Sequence, residues 1–516
     1  MNVMKSLVLG SAAALLAGAG AQAADLPIKA KAVEYVRVCS LYGAGFYYIP
    51  GTDTCIKIGG YVRADALFHT GGDFNGAYSG TAGAGNRLST FFQTRAREDL
   101  NIDTRTATEY GVVRTYADVV FTWTSGTYSG VGNGSTQYST GSANPTALTS
   151  VNGLSNDGIA GGSLGVYYAF IQFAGFTMGK AVSQFDAPWT NYPGNNFDQL
   201  VGGSGTVTGV NQFTYTADFG QGITAAISAQ DQSLYSTTNL YNTSLSTAGG
   251  VLGGNYGSND FGGTVAPDII GMVRVDQAWG LFQASVVAHD NHAAFYGATE
   301  TSGHPSDKWG WAGQLALSIK NIPTGPGDTI NIQGVYTNGA SRYNINSLGQ
   351  STYSMFGSSS AAGAYGSIGL ASVSDGVFGT GTSMQLTSTY GMRGAFTHNW
   401  DPYWNTALYG AWAAIRYNGT AKSIICTSPG MVSLAATGTG FGCNPDFNIG
   451  QIGVITRWTP VKNLTFSADV VYTHLDQKFT GLVSAAAFNT VGKPAATYEL
   501  KDQDTVSMML RAQRNF

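Results

Sequence analysis

The sequence is poor in charge and has no long apolar run beyond residue 23. Lys, Arg, Asp and Glu make up 11% of its 516 residues, against about a quarter in typical soluble domains. Without a later apolar run of about 18 residues, a transmembrane helix is excluded. Without residues 1–23, which hold one Lys and no acid, the net charge is 25 − 30 = −5. This mild charge argues against a nucleic-acid partner.

Cysteine is also scarce, with four residues in the chain. Their spacing suits two local disulfides, Cys39–Cys55 and Cys426–Cys443, and a bridge that closes about 15 residues contributes about 3 kcal/mol. Free thiols are the alternative, which an oxidising compartment disfavours. No CxxC pair is present, and His289 and His292 lack further ligands at metal-site spacing. The sequence therefore predicts no metal and no cofactor.

The two ends of the chain indicate export. Lys5 precedes an apolar stretch from Leu7 to Leu16, and the stretch closes on an A-x-A site at residues 21–23. These features predict a signal peptide over residues 1–23. The other end, DTVSMMLRAQRNF, alternates polar and apolar residues and finishes on Phe516. An exported chain with such a strand is typical of a bacterial outer-membrane β-barrel.

Period-two alternation recurs about sixteen times, in a chain rich in Gly (71), Tyr (28) and Phe (25). In the first such segment, 55–68, Lys57, Arg63 and Asp65 share one face. This pattern predicts an all-β fold, a transmembrane antiparallel barrel of about 16 strands with polar residues lining the lumen. We expect a periplasmic lead-in over 24–54 and the barrel over 55–516. Short connections are expected to be periplasmic turns, and long ones extracellular loops: 69–90, 123–163, 231–267, 338–388, 418–447 and 476–503.

Cations recur on the predicted inward faces of the strands. Arginine suits a pore wall because its guanidinium stays charged and stacks on its neighbours, and pore-lining charges set ion preference. The alternative is that these cations form space-filling ion pairs with lumen acids. The predicted pore-lining residues are Lys57, Arg63, Arg95, Arg97, Arg114, Arg274, Arg393, Arg416, Arg457 and Arg511.

The segment 186–209 follows roughly the fifth strand and carries a Pro193-Gly194 turn. In a sixteen-stranded barrel the loop at this position commonly folds inward and narrows the pore. An ordinary surface loop is the alternative. The residues expected to shape the constriction are Asp186, Trp189, Tyr192 and Asp198.

Long motifs make a family resemblance specific. The lead-in ADLPIKAKAVEYVRVCSLYGAGFYYIPGTDTCIKIGGYVR resembles the mature N-terminus of alphaproteobacterial porins of the Rhizobium/Brucella type. FQTRAREDLNIDTRTATEYGVVRTYADVVF, YYAFIQFAGFTMGKAVSQFD and the closing QRNF are similar to that family too, so the resemblance spans essentially the whole chain. Two departures concern the long loops at 338–388 and 418–447 and the absence of the PEFGG motif of enterobacterial porins.

The resemblance implies a homotrimer in the outer membrane of a Gram-negative bacterium, in contact with its lipid. Each barrel would admit small hydrophilic solutes passively, with loop three folded into its pore. Phe516 would be the assembly signal that the barrel-assembly machinery reads. Strict alternation points Glu98 toward lipid, and a subunit interface over strands one to five would cover it; a local bulge is the alternative.

Other functions remain as alternatives to passive diffusion. They are a substrate-selective channel and a plugged adhesin or structural barrel. An enzyme is not predicted, because a barrel hydrolase needs an aligned Ser–His pair and the sequence offers none. The G-x-S-x-G string at 161–165 begins a strand, whereas a nucleophile elbow requires a strand, a turn and a helix.

Overall fold

A computed structural model describes residues 37–68, 74–77, 79–125, 163–232, 237–346, 349–489 and 491–516. None of the helices within these ranges is long and apolar enough to cross a membrane. Sixteen antiparallel strands dominate the structure and are numbered here β1 to β16 in chain order. They span Cys55–Phe68, Phe92–Thr108, Gly111–Thr124, Ser163–Phe173, Phe176–Ala181, Val210–Asp218, Ile223–Gln230, Asp268–Gln277, Gly280–Asn291, Lys308–Lys320, Thr329–Asn338, Ser388–Asn399, Trp404–Arg416, Phe447–Val461, Leu464–Gln477 and Gln503–Asn515.

The sixteen strands close into a barrel. Each pairs with its neighbours in sequence, and residues 61–68 of β1 pair with residues 508–515 of β16. Beyond this ladder, the amide of Phe516 donates to the carbonyl of Gly60 at 3.1 Å. A Cβ at Gly60 would collide with the carbonyl of Asp99 on β2. Closure leaves no unpaired edge strand among the sixteen barrel strands, and it confirms the predicted sixteen-stranded barrel.

Short and long connections alternate around the barrel. At one rim, the turn end, Ala174 and Gly175 alone join β4 to β5, and their φ values of 48° and 86° are those of a tight primed hairpin turn. The opposite rim, the loop end, carries the connections 69–91, 125–162, 182–209, 231–267, 292–307, 339–387, 417–446 and 478–502. Residues 126–162, within one predicted extracellular loop, lie outside the described residues.

Exposed aromatic side chains mark the outer surface near both rims. Trp279, Trp404 and Trp458 lie at the turn end, whereas Trp309 and Trp311 lie at the loop end. Aliphatic side chains occupy the band between them. Two aromatic girdles around an apolar band are the outer surface that a bilayer selects in a barrel.

The long connections form a folded cap over the loop end. Two helices, Gly419–Cys426 and Pro429–Thr437, pack with two small sheets. One sheet joins Thr352–Gly357, Gly366–Ser372, Ala496–Leu500, Thr480–Ala485 and Thr439–Gly442, and the other joins Ser258–Asn259, Asn239–Asn242, Ser374–Phe378 and Gln385–Leu386. The remaining short elements are strand Tyr47–Tyr48, helices Gly80–Gly83 and Ala248–Leu252, and 3-10 turns Ser40–Tyr42, Thr243–Leu245, Glu300–Ser302 and Ser341–Tyr343.

The cap shares an apolar core with part of the barrel wall. Tyr256, Tyr353 and Ile368 of the cap belong to the same buried cluster as Ala413 of β13 and Ile449 of β14. The polar lining of the lumen therefore does not extend to this part of the wall. Loops bury these inward side chains, and burial favours apolar residues.

Both predicted disulfides are present. Cys39 and Cys55 join with a Cα–Cα distance of 6.0 Å, and Cys426 and Cys443 join at 5.8 Å. The first bridge ties residues 39–54 to the start of β1 at the turn end. The second crosses the cap from the end of helix Gly419–Cys426 to the chain just before β14.

The fifth strand is shorter than the sequence pattern predicts. Alternation continues to residue 185, but β5 ends at Ala181. The amide of Ser183 donates to the Thr206 hydroxyl at 2.8 Å, and the Ser183 hydroxyl donates to Gln230 on β7 at 2.8 Å. These bonds turn the chain away from the ladder and into the barrel.

Candidate functional site in the barrel lumen

The connection 182–209, called loop three below, runs inside the barrel. Its first part is held by amide side chains on the wall. Gln283 of β9 donates to the carbonyl of Asp186 at 2.8 Å, and Gln314 of β10 donates to the carbonyl of Phe185 at 2.8 Å. Trp189 donates its indole N–H to Gln333 of β11 at 2.5 Å. The loop therefore lies against β9 to β11 rather than over the rim.

Arg393 of β12 holds the middle of loop three. Its guanidinium donates to the carbonyls of Leu200 (3.0 Å), Thr190 and Ser204. The residue is 1% exposed. Gly203 lies against it, and a Cβ there would approach Arg393 Nε to 2.9 Å. Arg393 thus faces the lumen side of the wall, but loop three covers it.

The far end of loop three is bound to β13 to β16. The amide of Asn196 donates to Asp469 of β15 at 2.6 Å, and the same carboxylate accepts from the hydroxyl of Tyr409 at 2.6 Å. Arg457 donates to the carbonyl of Gly194 at 2.6 Å, and Arg511 to that of Asn196 at 3.3 Å. Loop three is therefore hydrogen-bonded to strands between β9 and β16, and these bonds hold it inside the barrel.

The two acids of loop three have different environments. Asp186 is 1% exposed and accepts the Thr206 amide at 2.5 Å and its hydroxyl at 2.9 Å. Burial raises the pKa of this carboxyl, against the effect of these bonds and of Arg393. Burial also acts to raise the pKa of Asp198, but the Arg95 guanidinium outweighs it and lowers that pKa to about 2. The surroundings of Asp198 therefore favour its ionised form, whereas burial disfavours the ionised form of Asp186.

A cluster of charged residues from β1, β2 and β16 faces the Asp198 end of loop three. Arg95 donates to Asp198 at 2.5 Å and forms an ion pair with Asp65 at 2.8 Å. Arg511 pairs with the other oxygen of Asp65 at 2.6 Å. Tyr192 donates its hydroxyl to Asp198 at 3.3 Å. The structure thus brings together several residues that the sequence pattern proposes separately.

The other predicted pore residues lie apart from this cluster. Lys57 is exposed toward the turn end, where Arg114 pairs with Asp103 at 3.0 Å. Arg274 donates to Gln283 at 2.9 Å. Arg416 donates to the carbonyl of Phe447 at 2.8 Å, next to the cap. The predicted set therefore spreads along the whole length of the barrel.

Two tyrosines that the sequence analysis missed also reach the cluster. Tyr61 lies under Arg63, with the guanidinium carbon 4.3 Å from the ring centre. Tyr167 is the extra residue of a bulge, because Asp118 pairs with Tyr168 while Val119 pairs with Val166. Tyr61 shares the face of Arg63 by simple alternation, so the sequence could have indicated it. The bulge interrupts the alternation of β4, so the sequence pattern does not predict that Tyr167 faces the lumen.

Comparisons with known proteins agree with this architecture. The sequence model of the family described as "Porin subfamily" matches residues 25–509. Porin Omp2b of Brucella suis is 34% identical over 294 residues, covering 56% of this chain and 67% of that protein. Porin Omp2a of Brucella melitensis is 35% identical over 297 residues, with coverage of 56% and 67%.

A solved structure shows a similar fold. The outer membrane channel DcaP of Acinetobacter baumannii aligns with a TM-score of 0.56 and 15% sequence identity, over 91% of this chain and 99% of that chain. The family match covers most of the sequence. The chain therefore belongs to the porin subfamily, and it is a non-enzymatic outer-membrane channel of a Gram-negative bacterium.

Proposed function

We propose that small hydrophilic solutes and ions diffuse through the space that loop three leaves free beside β1 to β4. The observation that carries this proposal is the docking of loop three on the opposite wall, from Gln283 of β9 to Arg511 of β16. At the level of Asp198, partly exposed side chains come from β1, β2 and β4: Tyr61, Arg63, Arg97 and Tyr167. Loop three and this wall would together form the constriction.

The proposed constriction is asymmetric in charge. Asp198 and Tyr192 stand on the loop side, with Asp198 paired to Arg95, and Arg63 of β1 and Arg97 of β2 stand on the wall side. Opposed charges across a narrow aqueous passage produce a transverse field, which orients polar solutes as they cross. Passive diffusion needs only this aqueous path, a steric cutoff and the local field.

We also propose that the channel is a homotrimer, assembled through the outer face of strands β1 to β5 together with the adjoining β15 and β16. A groove of 680 Å³ on this face has a floor of small side chains, among them Ala64, Ala66 and Ala96, and the large aromatics Trp123, Trp404, Trp458 and Phe466 also line it. Small residues let neighbouring backbones approach closely within a bilayer. Exposed Glu98 lies on the same face, where a second subunit would shield it from lipid.

Residues 24–54 and the C-terminal strand β16 have proposed roles in the assembly of the barrel. We propose that residues 24–54 pack at the periplasmic rim, since the Cys39–Cys55 bridge ties residues 39–54 to the start of β1. We propose that the barrel-assembly machinery reads β16 together with Phe516. Residues 1–36, with the predicted signal peptide, lie outside the described residues.

The proposed passage is tested by single-channel conductance of refolded protein in a planar bilayer. The wild type should open in large steps and close in threes. Tyr192→Trp adds bulk beside Asp198 and should lower the conductance. Tyr365→Trp, on the exposed surface of the cap, is the matched control and should leave it unchanged. Folded protein without conductance would contradict the passage and favour a plugged barrel, and an unchanged Tyr192→Trp would place the constriction elsewhere.

A further inference from the structure

Two arginines face each other directly across neighbouring strands in the lumen. Arg63 of β1 and Arg97 of β2 are register partners. Residues in this position have Cβ atoms about 5 Å apart, and like charges there are destabilising. Both side chains are partly exposed. The pair therefore requires a compensating negative charge.

The nearby carboxylates are committed to other arginines. Asp65 pairs with Arg95 at 2.8 Å and with Arg511 at 2.6 Å, and Asp198 pairs with Arg95 at 2.5 Å. Within the described ranges, neither arginine of the facing pair makes an ion pair. The cluster thus sets four guanidinium groups against two carboxylates, an excess of 4 − 2 = 2 positive charges.

The next acid along β2, Asp99, does not form an ion pair with either arginine of the facing pair. Asp99 accepts from Asn101 at 3.2 Å, and its register partner on β1 is Tyr61. In the part of the chain that the structure describes, Arg63 and Arg97 therefore have no carboxylate within ion-pair distance.

The facing pair also has unused hydrogen-bond donors. Arg63 Nε donates to Gln513 at 2.8 Å, which fixes the plane of its guanidinium over Tyr61. Arg97 Nε is buried and has no hydrogen-bond partner among the described residues. Fixed guanidinium groups offer parallel N–H pairs that match the oxygens of carboxylates and phosphates.

Building on the proposed passage, we propose that Arg63 and Arg97 form a binding site for small oxyanions, so that the channel favours anionic solutes. Tyr61 and Tyr167 flank the site, and their hydroxyls add neutral donors. Asp198, on the loop side, keeps its charge close to Arg95. A carboxylate or phosphate group would enter between the two arginines and supply the missing negative charge.

The test uses inorganic phosphate as the probe and the refolded full-length protein. In a KCl gradient the reversal potential should have the sign of anion preference, and added phosphate should reduce the chloride current. The double variant Arg63→Gln/Arg97→Gln should weaken this block at least about tenfold, because it removes charge-assisted hydrogen bonds. The matched control Lys320→Gln/Lys422→Gln removes the same charge from the turn-end rim and the cap, and it should leave the block unchanged.

The possible results distinguish a failure of the oxyanion-site proposal from a failure of the channel proposal. A conducting wild type that prefers cations, or whose phosphate block survives in the double variant, would overturn the oxyanion site and leave the channel intact. Absence of conductance would count against the proposed passage instead. In that case the oxyanion site is tested by ³¹P NMR, because folded protein that binds phosphate should broaden the phosphate signal. Broadening that disappears in the double variant supports the site, and no broadening rejects it.

Discussion

Replacing Arg393 with Met should release loop three from the wall while the barrel stays closed. The guanidinium donates to three loop carbonyls, those of Thr190, Leu200 and Ser204. A hydrogen bond from a charged donor contributes about 1.5–3 kcal/mol. Such bonds are not additive, and the freed carbonyls can reach lumen water. We therefore count two of the three hydrogen bonds at the lower bound of about 1.5 kcal/mol each. The free energy of loop docking should then fall by about 3 kcal/mol.

This loss corresponds to an increase of about a hundredfold in the undocked population of the loop. Hydrogen exchange measures it through loop amides that bond to the wall, those of Asn196 and Val201, which donate to Asp469 and Gln451. Their exchange should accelerate by this factor, while amides in the β12–β13 ladder keep their rates. Single-channel records should show added current noise from the mobile loop.

The conservative variant Arg393→Lys separates charge from geometry. Lysine keeps the positive charge near Asp186 but cannot reproduce the planar fork that reaches three carbonyls. Its exchange rates should therefore lie between those of the wild type and Arg393→Met. Loop amide rates within about twofold of wild type in Arg393→Met would refute the docking role, since that corresponds to about 0.4 kcal/mol.

Three further predictions concern other parts of the molecule. The Cys426→Ser/Cys443→Ser variant should lose about 3 kcal/mol of local stability in the cap, seen as faster proteolysis there with unchanged barrel strands. The pKa of Asp198 is lowered, so its ion pair with Arg95 should be complete above pH 4 and be lost as the pH falls toward about 2. In ¹³C NMR the Asp198 carboxyl signal should therefore titrate near pH 2, and Arg95→Gln should move this midpoint upward; an unmoved midpoint would contradict the role of Arg95. Ala96→Trp should fill the outer groove and convert trimers to monomers in native mass spectrometry, with unchanged strand content by circular dichroism.

The local sequence pattern was sufficient to predict the barrel. Each strand carries apolar residues on its outward face and polar residues on the face toward the lumen. In β1, Ile58 and Val62 point outward from the barrel, while Lys57 and Arg63 point to the lumen. An alternation with a period of two therefore predicts both the strand and the direction in which each side chain points. Turn residues such as Ala174-Gly175 predict where the hairpins lie. The disulfides were also predictable, because each cysteine pair is local in sequence.

Contacts between distant segments were not predictable from such patterns. The bulge at Tyr167 turns an extra tyrosine inward, and nothing in the alternation of β4 signals it. The cap packs residues from several loops against Ala413 and Ile449, so part of the inner wall is apolar. Arg393 and Arg63 look equivalent in sequence, yet loop three covers the first and leaves the second partly exposed.

The sequence by itself determined the strand number, the faces of the strands and the family, because these depend on neighbours along the chain. Tertiary structure alone decided which charges remain free in the lumen. That outcome depends on where loop three docks and which carboxylate reaches which arginine. Asp65 and Asp198 pair with Arg95 and Arg511, and this choice leaves Arg63 and Arg97 facing each other in the proposed passage.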